Sequence, residues 1–162
     1  MSSTYSIKVS IFQTNPNGPL FRIVEKGVWY YASGGEWSTS DTAPILTIVG
    51  SGTSGMLRFV SDLSSSSSNR SDANKEAFVI TVGVQSDKHW VDIVTNLKNT
   101  DTTALLLSQY YADTGNTQAD RVNARQAQRS SWEAVNNKGR QISARFTAAS
   151  GSKDQELIVV IG

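Results

Sequence analysis

Tyr5-Ser6-Ile7-Lys8-Val9-Ser10-Ile11 alternates strictly, with Tyr5, Ile7, Val9 and Ile11 on one side and Ser6, Lys8 and Ser10 on the other. A repeat of two sends successive side chains to opposite faces of a strand, so one face meets a core and the other meets water. The segment predicts a first β-strand. Asn15-Pro16-Asn17-Gly18-Pro19 ends it, because proline fixes φ and glycine accepts positive φ. Strand-like runs follow at 21–31, 36–40, 44–50, 55–60 and 76–84, cut by Gly34-Gly35, Asp41-Thr42 and Gly50-Ser51-Gly52-Thr53-Ser54-Gly55. The last of these reads as a tight hairpin between two strands. Residues 141–147 and 157–161 predict closing strands. Short strands at this spacing imply a mainly β sandwich or barrel, and no internal repeat points to a trefoil or propeller.

After Asp87 the period changes. Trp90, Ile93, Val94 and Leu97 fall at i, i+3, i+4 and i+7, which predicts a short helix capped by Asp87. Asp101 is expected to cap a second helix with Leu106, Leu107, Tyr110 and Tyr111 facing inward. The polar stretch 117–129 fits a helix or an edge strand. Residues 62–75 hold a five-serine run without apolar periodicity and read as a mobile loop. Asn69-Arg70-Ser71 within it fits an N-glycosylation acceptor, to be used only in a secreted protein.

The chain has 162 residues, the length of one domain spanning 1–162, and 15 Lys plus Arg against 14 Asp plus Glu. A formal charge of +1 argues against a dedicated nucleic-acid binder, which relies on a cationic excess to neutralise phosphates. There is no Cys and one His, His89, so disulfides, thiolate chemistry and the usual zinc sites are excluded and no metal or other cofactor is expected. Ser, Thr, Asn and Gln make up about a third of the residues, a composition suited to strands with polar faces. The first twelve residues contain no signal-peptide core and no stretch approaches the roughly 20 apolar residues of a membrane span, so a cytoplasmic location is expected.

Several residues could carry chemistry. The 50–55 segment is rich in backbone N–H donors but lacks the Gly-Lys-Ser/Thr ending of a phosphate loop. His89 has no recognisable partner and reads as a packing or surface residue. On the expected helix, Asp92 and Thr95 share a face away from Trp90, Ile93 and Leu97; their oxygens either converge on a polar ligand or Asp92 simply favours the helix N-terminus. Arg121, Arg125, Arg129, Arg140 and Arg145 gather positive charge in the last third as a solvated rim. Trp29, Trp37 and Trp90 sit at core positions, whereas Trp132, after Ser130-Ser131, reads as half-exposed. An exposed ring beside Asp and Arg is a sugar-binding composition, the ring meeting C–H faces and the charged groups forking to hydroxyl pairs.

In order along the chain, Tyr5-Ser-Ile-Lys-Val-Ser-Ile-Phe-Gln-Thr-Asn-Pro-Asn17, Val24-Glu-Lys-Gly-Val-Trp-Tyr-Tyr-Ala-Ser-Gly-Gly-Glu-Trp37, Gly50-Ser-Gly-Thr-Ser-Gly-Met-Leu-Arg-Phe59, Trp90-Val-Asp-Ile-Val-Thr-Asn-Leu97, Gln109-Tyr-Tyr111 and Asn136-Asn-Lys-Gly-Arg140 form recognisable blocks. By these the chain resembles the fungal fruit-body lectins, actinoporin-like lectins of mushrooms with relatives in mosses and liverworts. The resemblance implies an actinoporin-like sandwich of two antiparallel sheets joined by a short helix-loop-helix. It further implies a non-catalytic protein of defence that binds glycans and glycoproteins at two sites per subunit and assembles as a homotetramer.

Within that resemblance, one site takes terminal N-acetylglucosamine and maps to Asp92, the Ile93 backbone, Thr95, Arg121 and Trp132, the last standing where the mushroom lectins have Tyr. The other takes galactose and N-acetylgalactosamine, as in the T-antigen disaccharide, and maps to Ala32, Ser51, Gly52, Gln85 and Ser86. Gln85-Ser86 replaces the His-Asn usual there, which puts that site in question. An actinoporin-like pore-forming toxin is the competing expectation. It would need an N-terminal amphipathic helix that inserts into membrane, and the alternation from Tyr5 onward speaks for a strand and against stable insertion. A glycosidase would need a second carboxylate opposite Asp92.

Overall fold

The alternating N-terminal segment forms β1 (Thr4–Gln13), with Tyr5, Ile7 and Val9 fully buried. The remaining strands are β2 (Phe21–Trp29), β3 (Gly35–Ser40), β4 (Ala43–Val49), β5 (Ser54–Ser61), β6 (Ala77–Gln85), β7 (Lys88–Val94), β8 (Ser131–Val135), β9 (Gln141–Phe146) and β10 (Asp154–Ile161). Among the described residues, two helices, α1 (Thr103–Gln109) and α2 (Ala119–Ala127), lie between β7 and β8. The structure is a computed structural model and describes residues 3–30, 34–62, 75–111, 119–148 and 152–162. The serine-rich run and the glycosylation pattern at 69–71 lie outside the described residues, as does Ala32.

A six-stranded sheet in the order β3-β4-β1-β10-β9-β8 faces a four-stranded sheet in the order β2-β5-β6-β7. Pairing is antiparallel throughout except between the first and last strands, β1 and β10, which run parallel at the centre of the larger sheet. Ile7, Leu46, Phe59, Phe78, Ile80, Val91, Ile93, Ile142 and Val159 fill the space between the sheets. A second apolar layer, Met56, Val79, Trp90, Leu106, Leu107, Tyr110 and Ala124, seals the helices onto the outer face of the smaller sheet. The α1–α2 segment carries the chain from the smaller sheet to the larger.

The helix expected at 90–97 is instead β7 followed by a loop. Residues 89, 91 and 93 face the other sheet while 90 and 92 face the helices, so both sides of this strand are buried. An all-buried strand shows no alternation, and its apolar residues met the helical spacing by coincidence. Asp87 caps no helix: with Ser86 it forms the two-residue turn between β6 and β7, at φ 61° and 49°. Asp101 is displaced by one residue as the cap of α1. Thr102 Oγ1 accepts the Leu105 N–H at 3.3 Å, and Asp101 Oδ2 accepts the Lys98 N–H at 2.7 Å.

The 50–55 segment is not a hairpin, since β4 and β5 belong to different sheets and the glycines carry the chain across the sandwich. Within 117–129 the described part is α2, polar because only Val122 and Ala124 turn inward. The sequence signal for β8 is weak because it is an exposed edge strand. His89 is a packing residue, 3% exposed and wedged edge-on to the Tyr5 and Phe146 rings at 5.7 and 5.4 Å.

Candidate functional site

Strand alternation turns Asp92 toward the helical layer, where it is 2% exposed. A carboxylate at that depth needs donors. Tyr110 Oη donates to Oδ2 at 2.6 Å and Arg121 Nη1 donates to the same oxygen at 2.7 Å. Thr81, directly across from Asp92 on β6, donates from Oγ1 to Tyr110 Oη at 3.1 Å. Burial and the neighbouring carboxylate push the Tyr110 hydroxyl well above its ordinary range, so it stays a donor. Burial pulls the Arg121 guanidinium down, but the charges of Asp92 and Tyr110 together with its hydrogen bonds to them outweigh burial and hold the group above its ordinary value. With both donors on Oδ2, no hydrogen bond among the described residues reaches Oδ1.

Asp92, Ile93, Arg121 and Trp132 line one cleft of about 440 Å³, together with Asp120, Asn123, Ala124 and Arg129. Four of the five residues assigned to the N-acetylglucosamine site therefore meet. Thr95 does not line the cleft; it follows the end of β7, with Oγ1 accepting from Asn96 Nδ2 at 3.4 Å. The expected shared face of Asp92 and Thr95 is thus lost with the helix, because on extended chain a spacing of three points to opposite sides. Trp132 is 36% exposed, and the Arg129 guanidinium lies 3.8 Å over its ring. Asp120, Asn123 and Arg129 were not anticipated. Asp120 and Asn123, with Ala124, are three and four apart on α2, a signal visible only once 117–129 is read as helix.

Of the other assigned residues, Ser51, Gly52, Gln85 and Ser86 gather at the far end of β6, Ala32 lying outside the described residues. Gly52 N donates to Val84 O at 2.7 Å and Val84 N donates to Thr53 O at 3.2 Å, which brings Ser51-Gly52 against the Gln85-Ser86 end of the β6–β7 hairpin. Gly52 stands at φ 95°, a conformation that favours glycine. Tyr111 Oη donates to Gly52 O at 3.2 Å and bonds Ser54 Oγ at 2.8 Å, while its ring stacks on Trp29 at 4.5 Å. Gln85 Oε1 is buried without a hydrogen bond, and its backbone carbonyl accepts from Gln128 Nε2 at 2.7 Å. The Tyr5 hydroxyl donates to Asp87 and pins the turn to β1.

A family model described as fungal fruit body lectin matches residues 3–159. The Boletus edulis lectin of Boletus edulis is 36% identical over 149 residues, covering 92% of this chain and 93% of its own. The crystal structure of wild-type Xerocomus chrysenteron lectin XCL superposes with a TM-score of 0.83 at 34% identity, over 98% of this chain and 99% of that one. A variant of the same lectin with three positions mutated to methionine gives a TM-score of 0.83 at 35% identity, over 98% of each chain.

Proposed function

The chain belongs to the fungal fruit body lectin family and is a non-catalytic carbohydrate-binding protein; from that premise we propose that the Asp92 cleft binds a terminal N-acetylglucosamine residue. The observation that carries this reading is Asp92 itself, a buried carboxylate whose Oδ2 accepts from both Tyr110 and Arg121 and which, with Arg121, lines a cleft of about 440 Å³. A carboxylate acceptor beside a guanidinium donor forks to vicinal hydroxyls, and the Ile93 backbone adds a third polar contact. Trp132 offers its ring to a sugar C–H face and its Nε1 as a donor only. Arg121→Ala should weaken N-acetylglucosamine binding roughly ten- to a hundredfold, the loss of a charged hydrogen bond worth about 1.5–3 kcal/mol. Parent-like binding by titration calorimetry, with circular dichroism unchanged, would remove the cleft from consideration.

At the opposite end, Ser51, Gly52, Gln85 and Ser86 form a second, weaker site for galactose and N-acetylgalactosamine of T-antigen type, to which the family resemblance adds Ala32. The protein works in the cytoplasm as a homotetramer whose repeated sites crosslink glycoproteins, the property a defence lectin uses. Light scattering that gives a 17.6 kDa monomer at working concentration would refute the assembly. Membrane insertion plays no part in this reading: the segment an inserting toxin would release is β1, paired to β4 on one side and β10 on the other. Dye leakage from liposomes at lectin concentrations would reverse that conclusion.

A further inference from the structure

A third cleft, of about 340 Å³, opens where the end of β2 meets the outer face of β3 and β4. Strand alternation builds its floor. Trp37, Leu46 and Ile48 turn to the core, so Glu36 and Ser38 on β3 and Thr47 and Val49 on β4 turn to water, with Glu36 directly across from Thr47. Trp37 Nε1 donates to the Gly27 carbonyl at 2.8 Å and ties β3 to the smaller sheet behind that floor.

The wall is an aromatic ring. Trp29, stacked on Tyr111, anchors the end of β2 in the helical layer, whereas Tyr30 beside it is 75% exposed. The Tyr30 ring lies on Gly34, where a Cβ would come within 2.8 Å of its Cδ1, so any side chain at 34 would have to displace the ring. Gly34 stands at φ 82° and its carbonyl accepts the Val49 N–H at 3.0 Å, which holds the glycine beneath the ring to β4. Among the described residues, the Tyr30 hydroxyl, the Glu36 carboxylate and the Ser38 and Thr47 hydroxyls have no side-chain hydrogen bond or ion pair. Glu36 is the one charged residue in the lining; Lys8, on the same face two strands from Ser38, stands opposite Glu156 instead.

The lining indicates the ligand. A ring held flat at the surface meets the C–H face of a pyranose, a carboxylate accepts from neighbouring hydroxyls, and Ser and Thr hydroxyls both donate and accept. A lone carboxylate among neutral groups repels an anionic ligand. A quaternary ammonium ligand calls for a cage of several rings, and one ring stands here. We propose that this cleft is a third carbohydrate subsite, separate from the two above, which takes a neutral hexopyranose with its C–H face on Tyr30 and its hydroxyls on Glu36, Ser38 and Thr47.

The test follows backbone amide shifts of Gly34, Glu36 and Thr47 in the full-length protein titrated with methyl β-glucopyranoside, methyl β-glucuronide and tetramethylammonium chloride, ionic strength being held with sodium chloride. Saturable shifts at these amides are expected with the glucoside, weakened roughly fivefold or more in Tyr30→Ala. The glucuronide should bind more weakly than the glucoside in the parent, and Glu36→Gln should remove that difference. Both side chains are exposed, so each variant should match the parent in melting temperature and in N-acetylglucosamine titration, which reads the Asp92 cleft separately. Glucoside shifts confined to Gly52 and Ser86, or to Ile93 and Arg121, would assign the sugar to one of the other clefts and overturn the site. Linear shifts, an unaltered titration in Tyr30→Ala, or tetramethylammonium binding tighter than the glucoside would overturn it equally.

Discussion

Asp92→Ala tests whether the carboxylate is part of the fold as well as of the cleft. On a surface helix its loss would abolish binding and leave stability intact. In β7 it leaves the Tyr110 hydroxyl, on a residue with no exposed surface, without its acceptor, and it strips Arg121 of its counter-charge. Removing one partner of a buried pair costs about 3–5 kcal/mol. The lower half of that range is expected here, because the Arg121 side chain is 26% exposed and can rehydrate. For a chain of this size each kcal/mol moves the midpoint by roughly 2–4 °C, so Tm should fall by about 10 °C.

Tyr110→Phe removes the stranded hydroxyl, and the double variant should recover about 1–2 kcal/mol of the summed single costs. The assay is urea unfolding of the four species at one protein concentration, since assembly makes stability concentration-dependent. An Asp92→Ala variant within about 1 kcal/mol of the parent, or an additive cycle, would refute the buried network. Asp92→Asn keeps the side-chain shape and an acceptor for Tyr110, so it is the variant in which binding is read without unfolding.

His89 is buried with no hydrogen bond at either ring nitrogen, and burial lowers its pKa below the ordinary 6.5. As pH falls through about 6.5 the unfolded chain takes up a proton that the folded one refuses, so stability should drop from there until the lower folded-state pKa is passed. His89→Leu should flatten that slope below about pH 6.5, apart from the Glu76 contribution, which is lost only below about pH 4.5; parallel urea midpoints for parent and variant would contradict this. Ser86→Asn should strengthen T-antigen disaccharide binding by restoring an amide that a serine hydroxyl falls short of, a gain of about 0.5–1.5 kcal/mol. It should also stabilise the turn slightly, because Asn tolerates φ 49° better than Ser, and a variant unchanged in both calorimetry and melting would discard the assignment.

Strands with one wet face were legible. β1 and β9 alternate in sequence because water lies on one side of the larger sheet, whereas β4 and β10 alternate in burial but carry apolar residues on both faces, so β10 was legible only as a β-branched run. β7 was not, and the reason is specific to its place. It belongs to the one sheet covered on both faces, by the other sheet and by α1 and α2, so Trp90, Val91 and Ile93 are all apolar and the period of two vanishes. Residues 50–55 were rightly read as a break between strands but wrongly as a hairpin, because turn chemistry records where a chain bends and says nothing about which sheet the next strand joins. β8 left little trace since an edge strand with Ser131, Trp132 and Glu133 exposed needs no apolar face.

The residues of the candidate cleft were legible in the sequence, and its geometry was not. Asp92, Arg121 and Trp132 stand out as an acid, a base and an exposed ring, yet nothing in their spacing says that they meet. What brings them together is register and packing. Strand pairing sets Asp92 opposite Thr81; Leu106 and Leu107 seat α1 on the sheet so that Tyr110 reaches both; Val122 and Ala124 seat α2 so that Arg121 reaches Oδ2. The three elements are separated by up to 40 residues of sequence. A carboxylate carried outward on a helix would have needed no such partners. Because Asp92 is buried, its charge must be satisfied by the protein before any ligand arrives, and its two donors share one oxygen. On the proposed reading, a sugar hydroxyl entering the cleft would meet an acceptor already held by the fold, with little orientational freedom left to lose.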